Sequence, residues 1–311
     1  DGSPWLAAGL WPRTSGSIAL DANAGALGRG GTVSADACGG GPMRGQGSGR
    51  WHDQTLELGS LRLWLPRSTL SLAVAGTIGF EGPAPTLELS GEWAALRWPL
   101  AGQASIESPL GPFAVKGALP YAFDVQAHAR APALQGAPEA RFTAAGSVDD
   151  GRLVLDRLDG EVLRGRLAGS GTVAWTGEQA WTARIAAQDL DLAVVRPDLP
   201  GRVSAVATID GRGFSPASPW TARLASLSGT LAGRALTGRG EVSHRDGNYD
   251  LREVRIANGP SHVDLNGRWG STVDLSWSAD VRTLSLLHPD LEGQLVSTGR
   301  ARGSSSRPTV E

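Results

Sequence analysis

The chain has 311 residues, 41% hydrophobic and 19% charged, with 29 Lys and Arg against 31 Asp and Glu and a net charge of -2. That balance excludes the electrostatic footprint of a nucleic-acid binder or of a protein held on an anionic membrane surface. Cys38 is the only cysteine, which excludes an internal disulfide and a cysteine-based metal site.

The 11 Trp residues point to a folded chain, and the 43 Gly and 19 Pro stay short of a disordered composition. No apolar run approaches the roughly 18 residues of a membrane-spanning helix. A chain that opens on Asp1 without a signal peptide and closes on Arg307–Glu311 reads as an internal stretch of a longer protein.

Residues 1–50 form a Gly-rich lead-in with weak strands such as Ile18-Ala19-Leu20, broken by Gly28, Gly30, Gly31, Gly39, Gly40 and Gly41. From Thr55 onward, period-2 alternation dominates. Leu56 and Leu58 oppose Thr55 and Glu57, and Leu61, Leu63 and Leu65 oppose Arg62 and Trp64. Leu70, Leu72 and Val74 follow, then Tyr121, Phe123 and Val125 against Asp124, Gln126 and His128. Trp181, Ala183 and Ile185 alternate with Thr182 and Arg184; Trp220, Ala222 and Leu224 with Thr221 and Arg223. Val273, Leu275 and Trp277 close the series against Asp274, Ser276 and Ser278. Each run is a strand with one apolar and one polar face.

Asp-Gly pairs at 150–151, 159–160, 210–211 and 246–247 predict type I′ hairpin turns, because both central residues need positive φ. Hairpins imply antiparallel neighbours. The best helical candidate is a single turn at Leu284-Ser285-Leu286-Leu287, stopped by Pro289. An internal repeat runs through residues 151–311. The segment GRLVLDRLDG after Asp150 corresponds to GNYDLREVRIA after Asp246, with Gly151 and Gly247 96 residues apart. Pro197-Asp198-Leu199-Pro200-Gly201 recurs as Pro289-Asp290-Leu291-Glu292-Gly293, 92 residues on. The predicted organisation is therefore a lead-in over 1–50 and a repetitive β segment over 51–311, an array rather than a globule.

About twenty one-sided strands without covering helices must close on themselves or meet another apolar surface. Two solutions stand open: a sandwich in which the apolar faces pack as core, and a trough in which they line a channel. A trough could shelter acyl chains, since keeping roughly thirty methylenes from water is worth on the order of 24 kcal/mol.

No catalytic constellation emerges, and the expectation is a protein that is not an enzyme. His52, His128, His244, His262 and His288 never take metal-ligand spacing, so no metal and no cofactor is expected. Gly28-Arg29-Gly30-Gly31 is too short for a dinucleotide fingerprint, and Gly47-Ser48-Gly49 belongs to a polar loop rather than a nucleophile elbow. Asp149-Asp150-Gly151 lacks the downstream Glu of a calcium loop. Trp98, Trp175, Trp181, Trp220, Trp269 and Trp277 recur on or beside strands, as core aromatics or as a channel lining.

The run Gly91-Glu92-Trp93-Ala94-Ala95-Leu96-Arg97-Trp98-Pro99-Leu100 resembles the TamB family, an AsmA-like group of bacterial envelope proteins. So do Gly169-Ser170-Gly171-Thr172-Val173-Ala174-Trp175 and the paired Pro-Asp-Leu-x-Gly segments. The resemblance covers roughly residues 55–311 and implies an all-β fold: an elongated, mostly antiparallel one-sided sheet folded into a hydrophobic, β-taco-like groove. It implies a periplasmic segment, anchored to the inner membrane by an N-terminal helix outside this stretch. The implied role is support of outer-membrane protein and autotransporter assembly and phospholipid transport between membranes.

Implied partners are a TamA-like Omp85 outer-membrane protein, met through a C-terminal region outside this chain, and phospholipid or unfolded outer-membrane protein. Nucleic acid is not expected as a partner. The groove-lining candidates are then Leu87 and Leu89, Phe123 and Val125, Leu153 and Leu155, and Trp181 and Ile185. Leu190 and Leu192, Trp220 and Leu224, Val263 and Leu265, and Leu275 and Trp277 complete the set. A secreted β-solenoid adhesin or passenger domain is the rival reading; it would show shorter, stricter repeats with Asn or Ser ladders.

Overall fold

A computed structural model describes residues 18–21, 31–35, 44–64, 69–98, 105–132, 138–215, 217–284 and 290–311. The described residues hold twenty strands and a single 3₁₀ turn at Leu192–Val194. The strands are β1 (Ile18–Asp21), β2 (Gly31–Ala35), β3 (Arg44–His52), β4 (Thr55–Trp64), β5 (Ser71–Gly79), β6 (Thr86–Trp98), β7 (Ile106–Gly117), β8 (Tyr121–Ala129), β9 (Ala140–Val148) and β10 (Arg152–Val162). They continue with β11 (Gly165–Ala174), β12 (Ala180–Asp191), β13 (Gly201–Arg212), β14 (Trp220–Leu231), β15 (Arg234–Arg245), β16 (Asn248–Asn258), β17 (Ser261–Trp269), β18 (Thr272–Val281), β19 (Leu295–Ser304) and β20 (Arg307–Val310).

The chain divides into two compact units, one of Asp1–Gln135 with Glu139–Leu158 and one of Asp159–Glu311 with Gly136–Pro138. In each, strands pair antiparallel with their neighbours in sequence. The first unit runs as a meander from β1 to β9, and the second from β11 to β20. This is the all-β, antiparallel, one-sided architecture that alternation and the family resemblance both imply. A β-solenoid would instead stack parallel strands.

The hairpin chemistry differs from expectation. Asp246-Gly247 does form a two-residue turn with both φ positive, at 51° and 73°. Asp150-Gly151 also turns the chain, but through the Asp149 carboxylate, which accepts from the amides of Gly151 (2.8 Å) and Arg152 (2.6 Å). Asp159-Gly160 and Asp210-Gly211 are not turns; they lie inside β10 and β13. At both, the alternation simply continues, with an exposed Asp beside a half-buried Gly. Positive-φ pairs occur instead at Asp53-Gln54 (42°, 61°), Leu163-Arg164 (47°, 59°) and Ala232-Gly233 (50°, 75°). The glycine-rich stretches at 22–30 and 36–43, Leu65, and residues 285–289 of the expected helical turn and second Pro-Asp motif lie outside the described residues.

Burial decides between sandwich and open face. Among the described residues, only Leu58, Ala187, Leu236, Val273, Val281 and Ala301 are buried apolar residues, and no side chain is fully buried. Within a unit, two sheets packed face to face would enclose a core about 10 Å thick with many fully buried residues. Among its described residues neither unit contains a fully buried side chain, so each is an open sheet rather than a sandwich.

Candidate functional site: the apolar sheet faces

Antiparallel partners share a face, so strand register fixes which side chains lie together. In the first unit Trp51 of β3 stands opposite Leu56, Leu56 opposite Ile78, Ile78 opposite Leu87, and Leu87 opposite Gly117. The next row joins Leu58, Gly76, Leu89, Val115, Phe123 and Gly146 across six strands. A third carries Leu61, Val74, Gly91, Phe113, Val125 and Ala144. Every member of these rows is apolar or glycine. The alternate residues, among them Glu57, Glu88, Lys116 and Asp124, occupy the opposite face.

The second unit repeats the arrangement. Ile185, Ala207, Leu224 and Gly240 form one row; Val254 and Leu265 pair beyond it, and Leu265 pairs with Trp277, itself opposite Gly299. Gly238, Ile256, Val263 and Ala279 form another. The opposite face is bound by charge: Arg223 reaches Glu241 through Nε at 2.9 Å, and Arg300 grips Asp274 at 2.8 and 3.0 Å. The Asp274 carboxyl is held below its ordinary range chiefly by those Arg300 hydrogen bonds.

Two devices shape this face. The first is a line of β-bulges in the second unit. Register shifts fall between Ala187 and Leu190 in β12, Leu224 and Leu227 in β14, and Leu251 and Val254 in β16. Each inserts one extra residue, bends its strand, and keeps apolar side chains on one face by skipping from i to i+3. Leu58 to Leu61 in β4 does the same in the first unit.

The second device is a flat indole laid over a glycine of the next strand. Trp93 pairs with Gly111, Trp181 with Gly211 and Trp277 with Gly299. A Cβ at those glycines would lie 1.9, 2.4 and 2.6 Å from the ring. Each indole N–H is tied to that same strand or to the residue just past its end, at Ser108 Oγ (3.0 Å), Gly213 O (3.0 Å) and Ser297 Oγ (2.9 Å). The three tryptophans sit on β6, β12 and β18, six strands apart each time.

The family model described as TamB, N-terminal domain, aligns with residues 67–311. The chain belongs to the TamB family. It is thus a bacterial envelope protein of that family, and among its described residues no helix is long and apolar enough to cross a membrane. No curated protein and no solved structure matches it.

Within this TamB-family chain, the candidates Leu87, Leu89, Phe123 and Val125 fall on the apolar face of the first unit. The turn bond from the Asp149 amide to the Arg152 carbonyl (2.9 Å) places Leu153 and Leu155 on the same side as Val148 and Gly146. Trp181, Ile185, Leu190, Trp220, Leu224, Val263, Leu265, Leu275 and Trp277 share the apolar face of the second unit. Leu192 stands apart, in the 3₁₀ turn after β12.

Alternation did not reveal the glycine partners of the three indoles, nor the polar caps of the bulges. The signal for the first is a Trp and a Gly at equal distance from one hairpin. Among the described residues, no cluster of His, Cys, Asp and Glu could hold a metal ion.

Proposed function

We propose that this chain is a periplasmic section of a TamB-type bridge whose apolar faces carry the acyl chains of phospholipids between membranes. The observation that supports the reading is the open face: rows of Leu, Val, Ile and Phe in register, with no packed core above them. Alone, such a surface is a liability; covered by acyl chains, it gains about 0.8 kcal/mol per methylene withdrawn from water. Interior strands have their backbone groups paired on both sides, so this surface offers van der Waals contact and not ladder hydrogen bonds. That favours lipid over an unfolded outer-membrane client strand, which would need a sheet edge.

In this reading the protein supports outer-membrane protein and autotransporter assembly indirectly, by supplying lipid, and does no chemistry of its own. It is held at the inner membrane by a segment outside this stretch and works beside a TamA-like Omp85 partner. Phospholipid extracted from the purified chain tests it: lipid should co-purify, and Leu89→Asp with Ile185→Asp should strip most of it. Recovery of no lipid from the wild-type chain would contradict the reading.

A further inference from the structure

The apolar face of the second unit is not uniform along its strands. At the end nearest the β13–β14, β15–β16 and β17–β18 connections runs one row in register: Trp181, Gly211, Trp220, His244, Tyr249 and Trp269. At the far end of the same strands the row is Leu190, Val203, Gly229, Leu236, Asn258 and Ser261. One lip is aromatic and amphipathic; the other carries no aromatic residue.

The aromatic row is packed together. Trp220 stacks on His244 with centroids 5.9 Å apart, and His244 lies 4.9 Å from Tyr249. His244 is fixed, with Nδ1 3.2 Å from the Ser218 carbonyl. Tyr249 and Trp269 remain 41% and 51% exposed. Unlike Trp93, Trp181 and Trp277, whose indole N–H groups all have protein acceptors, Trp220, Trp269 and the Tyr249 hydroxyl donate to no described residue. Three donors aligned along an apolar margin call for an acceptor-rich group joined to an apolar body.

We propose that this row binds the phosphodiester of a diacyl phospholipid, whose chains lie along the strands toward Leu190 and Leu236. Rings with an apolar body and a polar tip settle where hydrocarbon meets polar groups. From His244 to Leu236 the strand path is about 27 Å, ample for a chain that spans half of a ~30 Å hydrocarbon core. The lipid therefore lies across the sheet with its head at the aromatic lip. This rests on the lipid reading above and adds the ligand's orientation and the groups that select its head.

Two probes with the same chains and the same acyl fluorophore, a phosphatidylethanolamine and a diacylglycerol, are offered to the purified full chain. The wild type should prefer the phospholipid. Tyr249→Phe with Trp269→Phe, which removes two donors and keeps two rings, should reduce phospholipid binding about tenfold and leave diacylglycerol binding unchanged. Tyr249→Phe alone, which deletes one oxygen, should give an intermediate loss in a fold that far-UV circular dichroism shows intact. Equal loss of both probes, or no loss of either, overturns the head-group lip while leaving the lipid reading standing. Binding of neither probe by the wild type overturns both.

Discussion

The Ser204 hydroxyl caps the backbone amide of Asp189 across the β12–β13 pair, at 3.0 Å. Asp189 is the bulge residue of β12, with φ at 53°, and its amide has left the regular ladder. Two bulges on, Glu253 (φ 47°) stands in the same position, and its amide is met by Asn266 Oδ1 at 3.4 Å. A bulge displaces one backbone donor, and each of these is answered by a polar side chain on the following strand. Ser204→Ala should lower the stability of the second unit by about 1 kcal/mol. Hydrogen exchange should show the Asp189 amide losing protection first; unchanged protection there would refute the capping role.

The Asp53-Gln54 turn holds a Gln at φ 61°, a conformation an L-residue adopts at a disadvantage of roughly 1 kcal/mol. Gln54→Gly should raise the urea midpoint of the first unit by an amount corresponding to about 0.5–1 kcal/mol. A lowered midpoint would show that the Gln side chain contributes more than its backbone strain removes.

Gly211 lies beneath the Trp181 ring, where a Cβ would approach Cζ2 to 2.4 Å. Gly211→Ala should push the indole off the sheet, break its bond to the Gly213 carbonyl and destabilise the second unit by about 1–3 kcal/mol. Red-shifted tryptophan emission would report the released ring. Gly233→Ala, at an exposed turn with nothing near its Cβ position but φ at 75°, should instead cost about 1 kcal/mol through backbone strain alone and leave tryptophan emission unchanged.

Much of the face was legible because alternation is local. Leu87 with Leu89, Phe123 with Val125 and Leu275 with Trp277 need only a period of two to be placed on one side. Register is not local. That Leu89 meets Val115, or that Trp181 covers Gly211, depends on hairpin lengths and bulges that a single strand does not encode. Leu163-Arg164 turns the chain without the Asn or Gly that such a turn favours, because the paired strands impose it. Conversely, Asp210-Gly211 carries a turn signature yet runs straight, its glycine being required for the indole instead. The i to i+3 skips at Leu58–Leu61 and Leu224–Leu227 look like broken alternation and are bulges that preserve it.

Low pH should loosen the polar face of the second unit. Arg300 hydrogen bonds hold the Asp274 carboxyl below its usual value of 3.8, and Arg196 does the same for Asp198. A depressed folded value means the stabilisation is present above the ordinary carboxylate range and is lost as pH falls through the lower, folded one. Both pairs are exposed, so the effect is modest and screened by salt. Asp274→Asn should make stability less dependent on pH below the ordinary carboxylate range; an unchanged acid limb would show that this pair contributes nothing.

The most direct test of the open apolar face as a lipid path is site-specific photo-crosslinking in cells. A photoreactive residue at Leu89, Val125, Ile185 or Leu275 faces the apolar side; at Glu88 or Arg184 it faces the polar side. Phospholipid adducts at the first four positions and none at the last two are the predicted result. Adducts to outer-membrane proteins in place of lipid, or equal labelling from both faces, would contradict it.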